Sequence, residues 1–537
     1  MWDVVFQGAR IVDGTGNPWY RGDVAVQDGI IADMGDLPPD CAKERVDVQD
    51  RVLCPGFVDL HTHSDFVIFR DPVMVSKLCQ GVTTQAVGQC GQSAAPLDSR
   101  YVGLLKSYLG FILAGTDIPW DWTTFQDWFR TVEKLPLAGN VAAFVGHGTI
   151  RAATLGFENR PPSREEMDHM KALLREGMDS GCFGMTTGLI YPPGVYSSAE
   201  ELIELAQVLK ETGGLYFSHM RNESAFLLDS VRDTINIGRQ AGIPVQISHH
   251  KALGRDNWGL VTESLRMVDE ARTQGVDVTI DQYPYTSCST SVRACLPPWA
   301  QEGGIGETCA RLKDPDTRQR VLREMEDSMD TGKPCSWESM LRNGGGPAGA
   351  LVTYTPHTPE CEGKSLEEIG RAMGRNPLDV ALWIIEKNEG CDLACYDAIN
   401  DDDVRQVLRH EATMVASDSI PAAPGGKSHP RSFGTNPRVL ARYVREEKTL
   451  SLESAIRKMT SFPAARLGLH GKGVLRPGMD ADLLIFDPDS VQDHATYKDP
   501  ARLASGITSV YVRGEKVLEE GEHTGKTPGR LLRKRIR

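Results

Sequence analysis

The chain has 537 residues, room for three or four average domains or for one large barrel with an accessory domain. Its 73 acidic and 59 basic side chains leave a formal charge of −14, which argues against a nucleic-acid binder with a basic footprint. Apolar residues make up 40% and charged residues 25%, a globular mixture, and no run of 18 uncharged apolar residues predicts a membrane span. The start, from Met1 to Gly8, lacks the basic and apolar regions of a signal peptide. The 12 cysteines are dispersed without a CxxC pair, as expected of a reduced cytoplasmic protein.

The first fifty residues predict short strands and turns. Residues 4–6 and 9–12 flank Gly8, residues 13–18 form a loop, and a hairpin turns across Gln27, Asp28 and Gly29. The last seventy residues have the same texture, with strand-like runs at 480–487 and 507–514. Two β-rich ends imply one discontinuous domain made of residues 1–51 and 471–537. Between them lie eight strand candidates: 52–63, 83–90, 141–150, 182–189, 214–220, 244–250, 277–285 and 413–419. Helices are predicted at 163–177, 198–212, 227–240 and 264–274, the first opened by Ser163 and Glu166 as a capping box. Repeated β-then-α units predict a parallel (β/α)8 barrel over residues 52–470.

The seventh and eighth strands are too far apart for one crossover, so residues 286–412 contain an insertion. It holds a proline-rich turn at 296–299, a glycine run at 344–346, and helices near 365–374 and 377–388. Its first part, about 286–350, is expected to be a lid over the ligand-facing end; a decorative subdomain is the alternative.

His61 and His63 close the first barrel strand, and alternate strand residues face one side. Cys90 closes the second strand, His219 the fifth, His249 the sixth and Asp418 the eighth. Those ends converge on the active-site face of a barrel, so together they point to a metal centre rather than to packing. Lys251 is two residues past His249 and shares its side; His250 faces away and is not a ligand candidate. His147 is expected to make a structural hydrogen bond. Taken alone, Asp418 also fits a helix N-cap, and each tyrosine fits core packing.

Certain stretches are more specific. They include Pro55-Gly-Phe-Val-Asp-Leu-His-Thr-His-Ser-Asp65, Gly88-Gln-Cys-Gly91, Ser218-His-Met-Arg-Asn-Glu223, Ser248-His-His-Lys251, Asp281-Gln-Tyr-Pro-Tyr285 and His429-Pro-Arg431. Over nearly its whole length the chain resembles the metal-dependent amidohydrolase superfamily, and within it the N-acyl-D-amino-acid deacylases (D-aminoacylases). The His-x-His pair marks the superfamily; Cys90 and the Ser-His-His-Lys run point to the deacylase branch.

The resemblance implies a distorted TIM barrel with a small β-sandwich from both termini, and zinc as cofactor. It implies that Cys90, His219 and His249 hold one tightly bound zinc, and that His61, His63 and Asp418 form a second, weaker site. Asp418 would accept the proton of the attacking water and pass it to the leaving amine. His61 and His63 would stabilise the oxyanion if the second metal is absent. Tyr191, Lys251, Tyr283, Ser289 and Arg431 would surround the amide and α-carboxylate of a small N-acyl-D-amino acid. Many superfamily relatives bridge two metals with a carboxylated lysine; here Cys90 takes that place, which favours one firmly held metal.

Other readings remain. A related barrel could open cyclic amides such as hydantoins or cleave isoaspartyl dipeptides, and a non-catalytic scaffold is a third class. The stretch between Asp418 and His429 is unusual in detail and is expected over the site. Cys288, Arg293 and Cys295 stand where acyl or side-chain specificity is set, and Arg293 raises the question of an acidic D-side chain. No nucleic acid or membrane partner is expected, and a homo-oligomer is compatible with the sequence. The basic tail, 530–537, is read as a solvated terminus, with an anionic-partner tail as the alternative.

Overall fold

The two ends of the chain share one sheet. Trp2–Ile11, Tyr20–Gln27, Ile30–Gly35, Ala42–Asp47 and Val52–Pro55 pair with Leu483–Phe486, Ile507–Val512, Glu515–Glu519 and Glu522–His523 in a nine-stranded array. Phe6, Ile11, Val24, Leu53, Leu483 and Tyr511 form its apolar core, with the Phe6 and Tyr511 rings edge-on at 4.9 Å. The hairpin after Gln27 turns on Asp28 and Gly29, at φ 52° and 77°. Positive φ at both central residues is the two-residue turn whose twist matches that of paired strands. The computed structural model describes residues 1–38, 41–113, 116–118, 120–333, 335–420 and 427–534. Residues 421–426, inside the unusual stretch after Asp418, lie outside these.

Eight parallel strands form the barrel: Phe57–Asp59, Val82–Val87, Asn140–Ala143 continued by Val145–Gly146, Gly184–Gly188, Leu215–His219, Val245–Ile247, Val278–Gln282 and Thr413–Val415. The third strand joins the two halves, pairing through its first part with the second strand and through its last with the fourth. The eighth strand closes on the first: Asp418 N–H donates to His61 O at 2.9 Å, and His63 N–H to Ser419 O at 2.9 Å. Val58, Ala142, Phe144, Phe183, Phe217 and Met414 fill the lumen below the catalytic face, so the barrel is a packed core.

The outer helices follow their sequence signals. Arg164–Ser180 begins at Ser163, whose Oγ accepts from Glu166 N–H at 3.2 Å while the Glu166 carboxylate accepts from Ser163 N–H at 2.7 Å. Ala199–Thr212, Leu227–Ala241 and Val261–Thr273 complete the regular βα units.

Three expectations change. The candidate strand 52–63 is two strands, because the chain bends at Gly56, where a Cβ would lie 2.2 Å from Thr83 Oγ1. Val52–Pro55 therefore belongs to the terminal sheet. The third strand stops at Gly146, and His147 begins the helix His147–Leu155. The insertion has a fold of its own between residues 286 and 412. Ser287–Thr290, Ala350–Tyr354 and Leu393–Asp397 form its own antiparallel sheet, flanked by helices including Leu366–Met373 and Pro377–Lys387. Finally, the described part of the basic tail is docked rather than solvated. Leu532 N–H donates to Val141 O at 2.7 Å, Lys534 N–H to Gly181 O at 2.8 Å, and Arg533 pairs with Glu133 at 2.7 Å.

Candidate active site

The barrel strand ends bring all six metal-capable side chains together. Cys90 Sγ lies 3.3 Å from His61 Nε2 and 3.4 Å from His249 Nε2. His249 Nε2 is 3.0 Å from His219 Nδ1. Asp418 Oδ1 is 3.3 Å from His61 Nε2 and 3.2 Å from His63 Nε2. The donor atoms of His61, Cys90, His249 and Asp418 all lie within 4.8 Å of one another. Bond lengths of about 2.0–2.1 Å to nitrogen and 2.3 Å to sulfur set tetrahedral ligand–ligand edges of roughly 3.3–3.6 Å. The observed separations are close to these, so the residues present fit a zinc ion.

Three of these residues have unusual backbones. Cys90, His249 and Asp418 sit at φ 51°, 36° and 48°, the left-handed region that L-residues with bulky side chains rarely adopt. Each stands two or three residues beyond the end of its strand. The side chain is thereby aimed into the barrel mouth instead of following the strand alternation. Strain of this kind, about 1–3 kcal/mol per residue, persists only where surrounding structure holds it.

Charge and burial act together. Burial alone would raise the Cys90 thiol pKa, but the imidazolium charges of His61 and His249 outweigh it and hold it well below its ordinary value. The thiolate is the form a metal binds. Burial would likewise raise the Asp418 pKa, yet Arg431, His249 and His61 hold it well below the carboxylate range. Burial opposes protonation of His61, but Cys90 and Asp418 hold its pKa well above the usual range. The His219 pKa is lowered by burial and by His249.

A recess of about 460 Å³ opens over this cluster. It is lined by His63, Cys90, Tyr191, His219, His249, Lys251, Tyr283, Ser289, Asp418 and Arg431, which covers every expected site residue except His61, buried directly beneath. Arg431 Nη1 is 2.8 Å from Asp418 Oδ2, and its guanidinium lies 4.8 Å from the Tyr283 ring centre. Among the described residues, Tyr283 Oη is buried without a partner. Tyr191 Oη bonds Thr290 Oγ1 at 2.9 Å, and Arg431 Nη2 donates to Ser289 O at 3.4 Å. His250 faces away, bonding Ser264 Oγ at 2.7 Å, and His147 bonds Glu201 at 2.8 Å, as expected of structural residues.

The insertion walls the recess through Cys288, Ser289, Thr290, Glu338 and Met340. Cys295 is not there; its thiol faces Tyr396 Oη at 3.4 Å. Arg293 lines an adjoining chamber of similar size, which shares Gln92, Phe111, Ile190 and Tyr191 with the recess. Its Nε lies 3.2 Å from Ser291 Oγ.

Several contributors went unassigned in the sequence reading. Glu223 lies 3.1 Å from His249 Nδ1 and 2.5 Å from Lys251 Nζ; Lys251 and His249 hold its pKa at about 2 against the effect of burial. Asp281 Oδ1 accepts from His249 N–H at 2.8 Å and lies 3.3 Å from His61 Nδ1, without hydrogen-bond alignment. Carboxylates behind metal-binding histidines fix the ring and its tautomer. Both lie in the distinctive stretches above, and their only sequence signal was proximity to a strand end. Glu338 accepts from Glu223 N–H, and burial together with the Glu223 charge pushes its pKa up to about 8. Nothing in the sequence singled it out.

The chain is similar to known proteins over nearly its whole length. The amidohydrolase family model matches residues 44–518. A D-aminoacylase of Alcaligenes xylosoxydans xylosoxydans is 35% identical over 530 residues, covering 99% of this chain and 97% of the relative. A D-aminoacylase structure, solved in work on a binuclear metal centre with one-metal activation and second-metal attenuation, superposes with a TM-score of 0.83 at 34% identity, covering 99% of this chain and 100% of that one. The N-acyl-D-glutamate deacylase of Bordetella bronchiseptica, solved with zinc and a phosphonate mimic of the tetrahedral intermediate, gives a TM-score of 0.83 at 32% identity, covering 99% of each chain.

Proposed function

This chain belongs to the amidohydrolase family, and from that premise we propose that it hydrolyses N-acyl-D-amino acids to a carboxylate and a free D-amino acid. The observation that carries the reading is the position of Cys90, whose sulfur stands between His61 and His249 with Asp418 close by. Cys90, His219 and His249 would hold one tightly bound zinc, and His61, His63 and Asp418 a weaker second ion. Zinc, when bound, lowers the pKa of a water molecule and polarises the acyl carbonyl.

The chain's own residues do the rest. Asp418 is held ionised chiefly by Arg431, the state needed to accept a proton from the attacking water. It then delivers that proton to the amide nitrogen, because an amine anion is a very poor leaving group. When only the tighter site is filled, His61 and His63 are left to stabilise the developing oxyanion. Arg431 and Lys251 supply charge-assisted bonds for the α-carboxylate. Tyr283 offers a buried, unpartnered hydroxyl whose proton is retained, since burial pushes its pKa well up. Tyr191 and Ser289 complete the wall against which the amide lies.

The test is release of free amino acid from paired N-acyl-D and N-acyl-L substrates, with and without chelator. Turnover of the D series alone, lost on chelation and restored by zinc, is expected; equal turnover of both series would defeat the reading. Comparing N-acetyl-D-Glu with N-acetyl-D-Leu decides whether Arg293 recruits an acidic side chain. All twelve cysteines are free, which supports a reducing, cytoplasmic location, to be checked by cell fractionation. Among the described residues no helix is long and apolar enough to cross a membrane.

A further inference from the structure

Lys77 is buried below the catalytic face and is no part of the chemistry above. It stands on the short helix Val75–Leu78, which precedes the second barrel strand, and its side chain is 4% exposed. Its ammonium donates to Asp59 Oδ2 at 2.7 Å, Ser417 Oγ at 2.9 Å and Ser419 Oγ at 2.6 Å. An ammonium has three donors, so its capacity is fully used.

The partners are placed tellingly. Asp59 lies two residues before His61, and its Oδ1 accepts from Ser417 N–H at 3.0 Å and His61 N–H at 3.4 Å. Ser417 Oγ donates to Asp59 Oδ2 at 2.5 Å and accepts from Ser419 N–H at 3.2 Å. Ser417 and Ser419 flank Asp418, the residue at φ 48°. Left-handed backbone at an aspartate needs neighbours that over-determine it. Here the residues on both sides are bonded to one fixed cation from another element.

We propose that Lys77 is a positioning residue: through Ser417 and Ser419 it clamps the backbone on either side of Asp418 and so holds that carboxylate in register with His61, His63 and Arg431. This rests on the reading of Asp418 as the proton-transfer group. A buried Lys–Asp pair alone would join the helix to the first strand. The two serine bonds extend the pair to the eighth strand, at the point where it bends into the site.

The experiment compares Lys77→Met, Lys77→Arg and Ser419→Ala in the zinc-loaded full chain, reading kcat, KM, bound zinc and thermal midpoint. Misplacing a catalytic group by about 1 Å costs on the order of 100-fold in rate. Lys77→Met should lose about 100-fold in kcat, with KM and zinc content within about twofold of wild type. Ser419→Ala, which keeps the Lys77–Asp59 pair, should lose about 10-fold. Lys77→Arg should recover part of the loss. If Lys77→Met fails to fold, the Asp59→Asn/Lys77→Met double variant, which leaves no unpaired charge, takes its place beside Ser419→Ala. A kcat within twofold of wild type in the folded variants, with only the thermal midpoint lowered, overturns the proposal. So does a loss of rate that tracks loss of zinc, or one confined to KM. Wild-type turnover of an N-acyl-D-amino acid is measured first. Its absence would count against the deacylase reading, whereas the variant-to-wild-type ratio speaks only to Lys77.

Discussion

The terminal sheet and the barrel mouth use the same backbone conformation for opposite ends. In the sheet, three hairpin turns use a left-handed residue outside glycine: Asp28 before Gly29, Arg513 before Gly514 and Glu520 before Gly521. Each closes a hairpin between strands already paired, and positive φ is what those turns require. In the barrel mouth, Cys90, His249 and Asp418 adopt it while buried, just past strand ends, carrying side chains of the proposed reaction centre. Conformation there is dictated by where the side chain must point. The sheet therefore tolerates local change, and the mouth does not.

Removing Cys90 should break this contrast most completely. Cys90→Ala deletes the sulfur between His61 and His249, so bound zinc and turnover should both fall to background. Metal analysis of the purified variant beside the activity assay checks this; full zinc occupancy would remove Cys90 from the ligand set. Asp418→Ala comes next. It should keep the tightly bound zinc yet lose about 10²–10⁴-fold in kcat, the usual worth of a general acid–base group. Retained amide hydrolysis in that variant would sink the role given to Asp418. Glu223→Gln probes one step further out. It should weaken zinc affinity about 10- to 100-fold through His249, measured by competition with a chelator, while leaving the fold intact.

The same contrast explains what could be read from the residues. The eight barrel strands were legible because β-then-α alternation shows in the order of apolar runs and turns, and the proposed ligands stood out because they lie at strand ends. The turn at Asp28 and Gly29 was legible because its chemistry is local. The conformations of Cys90, His249 and Asp418 were not, since they depend on contacts among strands distant in sequence. Glu223, Asp281 and Lys77 escaped for a related reason: each acts on a residue already recognised, and a buried carboxylate or ammonium has no pattern apart from its partner. His147 reads as the end of a strand because the run 141–145 is apolar and Ile150 extends it past the glycines. The chain turns into a helix at Gly146, where a Cβ would lie 2.6 Å from Gly91 O. The tail misled because its charge suggested solvent, while Leu531 and Leu532 pack on the barrel and Arg533 meets Glu133.

The smallest effect belongs to the ordinary part of the molecule, and it bounds the contrast from below. Ser163→Ala removes one half of the capping box on the helix Arg164–Ser180, far in structure from the recess. A lost N-cap costs about 1 kcal/mol. The thermal midpoint should therefore drop by a small, measurable amount with kcat, KM and bound zinc unchanged. The other half of the box carries a pH signature. Arg160 holds the Glu166 pKa down at about 2, with burial opposing and Ser163 N–H assisting. A carboxylate with a lowered folded pKa contributes stability that is full above its ordinary value of 4.5 and is lost as pH falls toward 2. Glu166 and Arg160 are half-buried at the surface, so solvent screening keeps that contribution to about a few tenths of a kcal/mol. The stability gap between wild type and Glu166→Gln should thus be small at pH 7 and narrow further below about pH 4. A change in kcat for either variant would show that outer-helix ends and barrel mouth are coupled, and the division between tolerant and strained regions would have to be redrawn.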